Sequence, residues 1–367
     1  MKIMLVFGTR PEAIKMCPLV NELKSRKKLN TIVCVTGQHR EMLEVVLNCF
    51  GVVPDYDLQI MREKQTLFDV TVNILQKIKD VLEKEKPDVV LVHGDTSTTF
   101  VTSLACFYLG IKVGHVEAGL RTYNLDSPFP EEFNRQAVSI LSKFNFAPTK
   151  LSADNLIKEG KNKDTIFITG NTVIDALKTT VTNDYSHPVL EWSKDSRLIL
   201  LTAHRRENLG EPMRNMFTAI KQIVEEFEDV KVVYPIHMNP KVREIATEVL
   251  NNNPRIKIVE PLEVLDFHNI MARSNIILTD SGGIQEEAPS MGVPVLVMRD
   301  TTERPEGIAA GTLKLVGTNT EVIYREFKNL LTNKEEYEKM AKAQNPYGDG
   351  TACKQIANIL ENTATNL

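Results

Sequence analysis

The sequence predicts an α/β protein made of two consecutive doubly wound parallel-sheet domains. Three observations carry that expectation. Short Val/Ile/Leu runs alternate with longer amphipathic segments along the whole chain, the pattern of strands buried on both faces and joined by crossover helices. The apolar runs fall into two series separated by a polar stretch, residues 183–195, that holds a Pro and the single Trp. At 367 residues the chain is also long for one domain and comfortable for two.

In the first series the expected strands are 2–7, 31–36, 89–93, 113–117, 144–147 and 166–169. The intervening periodicity gives helices over 11–26, 40–50, 66–85, 97–109 and 130–141, with a last one over 173–182. The second series supplies strands 198–202, 232–235, 256–259, 276–279, 295–298 and 313–316. These readings place one domain at 1–182 and the other at 183–350. The Asn345-Pro346-Tyr347-Gly348-Asp349-Gly350 break then frees the tail 351–367, with its helix over 351–361, to pack back on the first domain.

Composition narrows the class. The chain is 42% hydrophobic and 25% charged with a net charge of −4, and without a basic block nothing calls for nucleic acid. The opening apolar run is about six residues and lacks a cleavage site, so no signal peptide is expected. No stretch approaches the ~18 apolar residues of a membrane span, and a cytoplasmic location follows as the expectation. Cys17, Cys34, Cys49, Cys106 and Cys353 are odd in number and never in CxxC spacing. They read as reduced, mostly buried thiols, and no metal site is expected.

Chemistry concentrates where apolar runs end. The run 276–278 empties through Asp280-Ser281-Gly282-Gly283 into a helical segment. Such a turn presents unpaired N–H groups and a positive dipole end, suited to phosphate. Glu286 and Glu287 lie one turn further on, where a carboxylate can accept from a ribose diol, and the next strand delivers Arg299, Arg304 and Glu306. The strand 198–202 ends in His204-Arg205-Arg206, up to three cations beside that turn, and His237 also ends a strand. After the first strand comes Gly8-Thr9-Arg10-Pro11-Glu12, with Gly8 for a tight turn, Arg10 at the sheet's carboxyl edge and Lys15 one helical turn on.

Three carboxylates share the carboxyl edge of the first sheet. Asp95 follows strand 89–93, and its Ser/Thr neighbours can take the helix N-cap and leave it free. Glu117 closes strand 113–117, where a carboxylate needs a partner. Glu131 follows a proline-stiffened loop, with Arg135 at i+4. Three such groups point to acid/base work. Two domains whose strand ends face a shared cleft, one with anion, diol and cation sites and the other with carboxylates, suit a nucleotide-sugar enzyme. A glycosyltransferase would use the same platform but usually needs one base.

The segments GTRPEAIK, TGQHREML, HGDTSTTF, GHVEAGLRT, SPFPEEFNR, ITGNTVIDAL, LTAHRREN, DSGGIQEEAP and TTERPEG occur in that order across nearly the whole chain. On these segments the sequence resembles the bacterial non-hydrolysing UDP-N-acetylglucosamine 2-epimerases. The resemblance implies two Rossmann-like domains in the glycosyltransferase-B arrangement, a homodimer and no added cofactor. It implies interconversion of UDP-GlcNAc and UDP-ManNAc for cell-surface polysaccharide. A hydrolysing relative that releases ManNAc, or an epimerase of another UDP-2-acetamido sugar, would share the pattern. By the same resemblance Arg10, Lys15, His204, Ser281, Gly282, Gly283, Glu287 and Arg304 hold UDP, with Glu287 on the ribose and Phe267 near the uracil. Arg135 and Arg206 complete the substrate-binding set. Asp95, Glu117 and Glu131 match the catalytic carboxylates, with His204 beside the diphosphate. A regulatory UDP-GlcNAc site would use Gln38, Glu41, Lys64, Gln65, Arg205 and His237. Lys64 stands where some regulated members carry Arg, and Glu41 where some carry Gln.

Overall fold

The first apolar series forms β1 (Lys2–Phe7), β2 (Asn30–Val35), β3 (Tyr56–Asp57), β4 (Val89–His93), β5 (Lys112–Val116), β6 (Phe144–Ala147) and β7 (Ile166–Ile168). They pair in the order β3-β2-β1-β4-β5-β6-β7, every pair parallel. The second series forms β8 (Arg197–Thr202), β9 (Val230–Pro235), β10 (Ile256–Val259), β11 (Ile276–Thr279), β12 (Val295–Val297) and β13 (Leu313–Leu315). Their order is β10-β9-β8-β11-β12-β13, again all parallel. These elements come from a computed structural model, which describes residues 1–37, 40–62, 65–251 and 253–364. The sequence indicates six strands in the first sheet where there are seven. The extra one, β3, is two residues long and leaves no apolar run to read; it is fixed at the sheet edge by pairing of Cys34 with Tyr56 and Val35 with Asp57.

Both sheets are buried on two faces, which is why their strands read as continuous apolar runs rather than alternating ones. Met4, Val6, Val90 and Val92 pack with Ile74, Ile78 and Leu82 in one core. Ile199, Leu201, Val232 and Leu278 pack with Phe217, Ile220 and Phe327 in the other. Burying each such side chain is worth about 1.5–3 kcal/mol. All five cysteines are free thiols, four of them buried. Among the described residues no helix is long and apolar enough to cross a membrane.

The chain divides into two compact units, Met1–Thr179 with Tyr347–Leu367, and Thr180–Pro346. Re-entry into the first unit begins at the buried Tyr347, whose carbonyl accepts from the Asn171 amide at 2.7 Å. Asp175 then accepts from the amides of Ala352 and Cys353 at 3.1 and 3.0 Å. That carboxylate meets the open donors at the start of the last helix, Ala352–Ala364. The helix packs on Arg10–Lys24, where Arg26 reaches Glu361 at 3.1 Å.

Strand order decides where each unit can hold a ligand. In the first sheet the order turns at β1 and β4, and in the second at β8 and β11. Loops leaving neighbouring strands at such a switch point part in opposite directions and leave a crevice at the carboxyl edge. The loops concerned begin at Gly8 and Gly94 in one unit and at Ala203 and Asp280 in the other.

Candidate active site

In the first unit the loop after β1 is occupied by its own helix. Thr9 caps Arg10–Lys24, and Glu12 closes a capping box. The Glu12 carboxylate accepts from the amides of Gly8 and Thr9 at 2.9 and 2.8 Å and from Thr96 Oγ1 at 2.7 Å. Those amides are therefore spent within the protein, and Arg10 is partly exposed at the first helical position. Gly8 is required by space rather than by a turn conformation: a Cβ there would lie 1.9 Å from Thr36 Oγ1.

The carboxylates gather on the neighbouring strand ends. Thr96 caps the helix Ser97–Tyr108, accepting from the Thr99 amide at 3.2 Å, so Asp95 is left to pair with Arg135 at 2.9 Å. Arg135 also faces Glu132 at 3.5 Å; it pairs with these two rather than with Glu131, the i+4 pairing that the sequence suggests. Glu132 is fully buried and accepts from the Thr122 and Tyr123 amides at 3.0 Å each, which ties the segment after β5 to the helix Glu131–Leu141. Glu131, partly buried, is that helix's first residue.

Glu117 stands just past β5 at φ +65°. It is ion-paired with Lys15, accepts from Asn171 Nδ2 at 2.8 Å, and has His93 Nε2 at 3.6 Å. Lys15, expected on the diphosphate, is here the counter-ion of a catalytic candidate. Burial pushes the Glu117 carboxyl up, but Lys15 and His93 outweigh it and hold the group well below the usual carboxylate range. Asp95 goes the other way. Burial pushes it up, Glu117 and Glu131 add to the rise, and Arg135 only partly opposes it. Beneath them His115 Nε2 donates to the Gly94 carbonyl, 2.7 Å away, and full burial drives its imidazole down to about 3, hence neutral.

The second unit is built around a buried carboxylate that the sequence reading passed over. Asp280, fully buried after β11, accepts from the amides of His204 and Arg205 at 2.9 Å each and from Asn208 Nδ2 at 3.1 Å. It thereby fixes the loop after β8 against the glycine turn. A buried Asp directly after an apolar run is the signal that marked it. His204 is expected as a cation. Burial lowers it, and with His237 and Arg205 adding, this outweighs the pull of Asp280, so the ring is favoured neutral. His237 stacks on it with centroids 5.2 Å apart and planes 9° from parallel. Arg206 is exposed in the short turn Arg206–Asn208.

At the glycine turn, Ser281 precedes the helix Gly282–Glu287. A Cβ on Gly282 would meet the Arg304 guanidinium at 2.8 Å, so the glycine leaves room for that cation over the helix start and a side chain there would push it aside. Arg304 is held there by Glu286, 2.9 Å from its Nε and almost fully buried. Arg299 pairs with Glu303 at 2.9 Å and Glu207 at 3.3 Å; Glu303 also reaches Arg304 at 3.6 Å, and Arg304 is the cation that lies against the turn. The two glutamates thus separate: Glu286 anchors Arg304, while Glu287 is 14% exposed with His268 Nε2 at 3.5 Å from its Oε2. Phe267, partly exposed, adjoins His268 on the helix Val264–Ala272. His268 is a second residue that sequence reading missed, since a lone His in an apolar helix carries no signal.

Of the regulatory candidates, Gln38, Lys64 and the side chain of Glu41 lie outside the described residues. Gln65 is half-buried ahead of the helix Leu67–Glu85, while Arg205 and His237 belong to the His204 cluster. Among the described residues no group of three or more His, Cys, Asp or Glu side chains could hold a metal ion.

Relatives share this frame. Residues 21–361 match the family described as UDP-N-acetylglucosamine 2-epimerase. The UDP-N-acetylglucosamine 2-epimerase of Bacillus subtilis strain 168 is 61% identical over 360 residues, covering 98% of this chain and 95% of its own. A crystal structure of a UDP-N-acetylglucosamine 2-epimerase superimposes with a TM-score of 0.93 at 57% identity, over 100% of this chain and 97% of that one. The Neisseria meningitidis UDP-GlcNAc 2-epimerase, crystallised bound to UDP-GlcNAc, gives 0.90 at 50% identity, over 99% and 100%. With the family match over residues 21–361 and 61% identity over 98% of its length, the chain belongs to the UDP-N-acetylglucosamine 2-epimerase family.

Proposed function

We propose that this enzyme interconverts UDP-GlcNAc and UDP-ManNAc by eliminating UDP and adding it back, without net hydrolysis. The bound UDP-GlcNAc of the N. meningitidis relative supports the substrate class. The observation that carries the mechanism is the pair of carboxyls after β4 and β5, Asp95 held up and Glu117 held down. Neighbouring groups pushed apart in this way can serve as acid and base at one pH.

The hydrogen at C2 of the sugar is not alpha to a carbonyl and is not acidic on its own. As the C1–O bond lengthens, positive charge at C1 acidifies it. A carboxylate takes the proton, the C2–H pair becomes the C1=C2 bond of 2-acetamidoglucal, and the C1–O pair leaves with UDP. Protonation of C2 on the opposite face and return of the UDP oxygen to C1 give the epimer. Ionised Glu117 suits proton removal and protonatable Asp95 suits delivery, with the roles exchanged in reverse and Glu131 as a third carrier. Arg10, Arg304, His204 and the Ser281–Gly283 turn would stabilise the departing diphosphate, with Arg135 and Arg206 on the substrate, Glu287 on the ribose and Phe267 near the uracil. In this reading the enzyme is a cytoplasmic homodimer without an added cofactor that supplies ManNAc-type sugars for cell-surface polysaccharide, and UDP-GlcNAc regulates it. Product analysis tests the class: UDP-GlcNAc should give a lasting mixture with UDP-ManNAc, and stoichiometric free ManNAc with UDP would assign a hydrolase instead.

A further inference from the structure

Behind Glu287 lies a short buried relay that the proposed chemistry does not use. His268 is 2% exposed and Thr180 is fully buried. Thr180 Oγ1 sits 2.8 Å from His268 Nδ1, and His268 Nε2 sits 3.5 Å from Glu287 Oε2. The other oxygen of Glu287 turns back along its helix, where a Cβ on Gly283 would lie 3.4 Å from Oε1. The carboxylate therefore spans from the imidazole to the glycine turn over which Arg304 lies. We propose that His268 is a positioning residue, locked by Thr180, that holds the Glu287 carboxylate for the two hydroxyls of a ribose and so makes the site select ribonucleotides over 2′-deoxyribonucleotides.

The tautomer follows from the neighbours. A neutral imidazole has one N–H and one bare nitrogen. A bare Nε2 facing a carboxylate would set lone pair against lone pair, whereas an Nε2–H faces it favourably. Thr180 then donates its hydroxyl proton to Nδ1. The 3.5 Å separation is long for a hydrogen bond, and it acts as an electrostatic stay that keeps the carboxylate from swinging. Without it, Glu287 has rotameric freedom to lose when a diol arrives, and that loss weakens the selective contact.

This inference rests on the assignment of Glu287 to the ribose, and the test separates the two. Affinities for UDP and 2′-deoxy-UDP are measured by calorimetry on the full chain. The wild type should favour UDP by about tenfold or more, the worth of a charge-assisted hydrogen bond. His268→Phe removes the donor and should bring the preference close to one, by weakening UDP while leaving 2′-deoxy-UDP nearly unchanged. His268→Gln restores an N–H and should recover part of the preference. Thr180→Val, which removes the lock with little change of volume, should reduce it as well, and these two variants carry the test if the phenylalanine does not fold. A purely packing role would weaken both nucleotides equally and leave the ratio alone; that result, in any folded variant of His268, overturns the proposal. If Glu287→Gln itself keeps the wild-type ratio, the ribose assignment fails and takes this proposal with it. Loss of the ratio in Glu287→Gln but not in the His268 variants leaves the assignment standing and overturns the relay alone.

Discussion

Replacing Lys15 by Met removes the cation from Glu117 while keeping most of the side-chain volume. Both side chains are largely out of solvent, at 13% and 9% exposure, so water screens the pair little. Breaking a buried pair by deleting one partner costs about 3–5 kcal/mol. Asn171 still donates to Glu117, and His93 still lies beside it, which points to the lower end, ~3 kcal/mol. At roughly 2–4 °C per kcal/mol for a domain of this size, Tm should fall by about 6–12 °C at neutral pH. The sign of the pH dependence is fixed. In the wild type the folded Glu117 carboxyl is depressed, so its contribution is fully present above the unfolded value and is lost as pH falls through the folded one. In Lys15→Met burial dominates and the carboxyl rises, so the penalty grows as pH rises through the carboxylate range and vanishes below it. Calorimetric melts of both proteins at neutral and mildly acidic pH should show the gap closing on acidification. The acid limb of turnover should move to higher pH in the variant. A Tm deficit independent of pH, with lost UDP affinity and an unmoved acid limb, would refute the pairing and return Lys15 to the diphosphate.

Asp95→Asn, Glu117→Gln and Glu131→Gln should each lower turnover by ~10²–10⁴-fold with UDP affinity by calorimetry near wild type; a fully active amide removes that carboxyl from the chemistry. Arg304→Met should weaken UDP by roughly 1.5–3 kcal/mol. It should also lower Tm, because Glu286 at 1% exposure loses its counter-ion. Wild-type UDP affinity in that variant would displace the diphosphate from the Gly282–Gly283 turn.

The sheets were legible because strands buried on both faces leave continuous apolar runs, and the loops that matter begin where those runs stop. Glycine, serine and carboxylate residues after β4, β5 and β11 stand out for that reason. What stayed hidden depends on who sits across from whom. Arg135 is four residues from Glu131 in sequence yet pairs with Asp95 from another element. Lys15 and Glu117 lie 102 residues apart in sequence. Arg299 and Arg304 look alike in sequence, but Glu207 and Glu303 hold the first while Glu286 anchors the second over Gly282. Charge state was hidden too: His204 reads as a cation beside two arginines, and its burial makes it neutral. Asp280, a plain turn residue in the sequence, organises the His204 loop through its backbone acceptors.

Hydrogen exchange at the sugar's C2 tests the elimination chemistry most directly. UDP-GlcNAc incubated with the enzyme in D₂O and followed by proton NMR should lose its C2 signal to deuterium as UDP-ManNAc appears, with the nucleotide sugar conserved. Asp95→Asn and Glu117→Gln should slow exchange and epimerisation together. Formation of UDP-ManNAc that keeps its C2 hydrogen in D₂O, with no solvent deuterium at C2 of either sugar, would contradict proton transfer by solvent-exchangeable carboxyls.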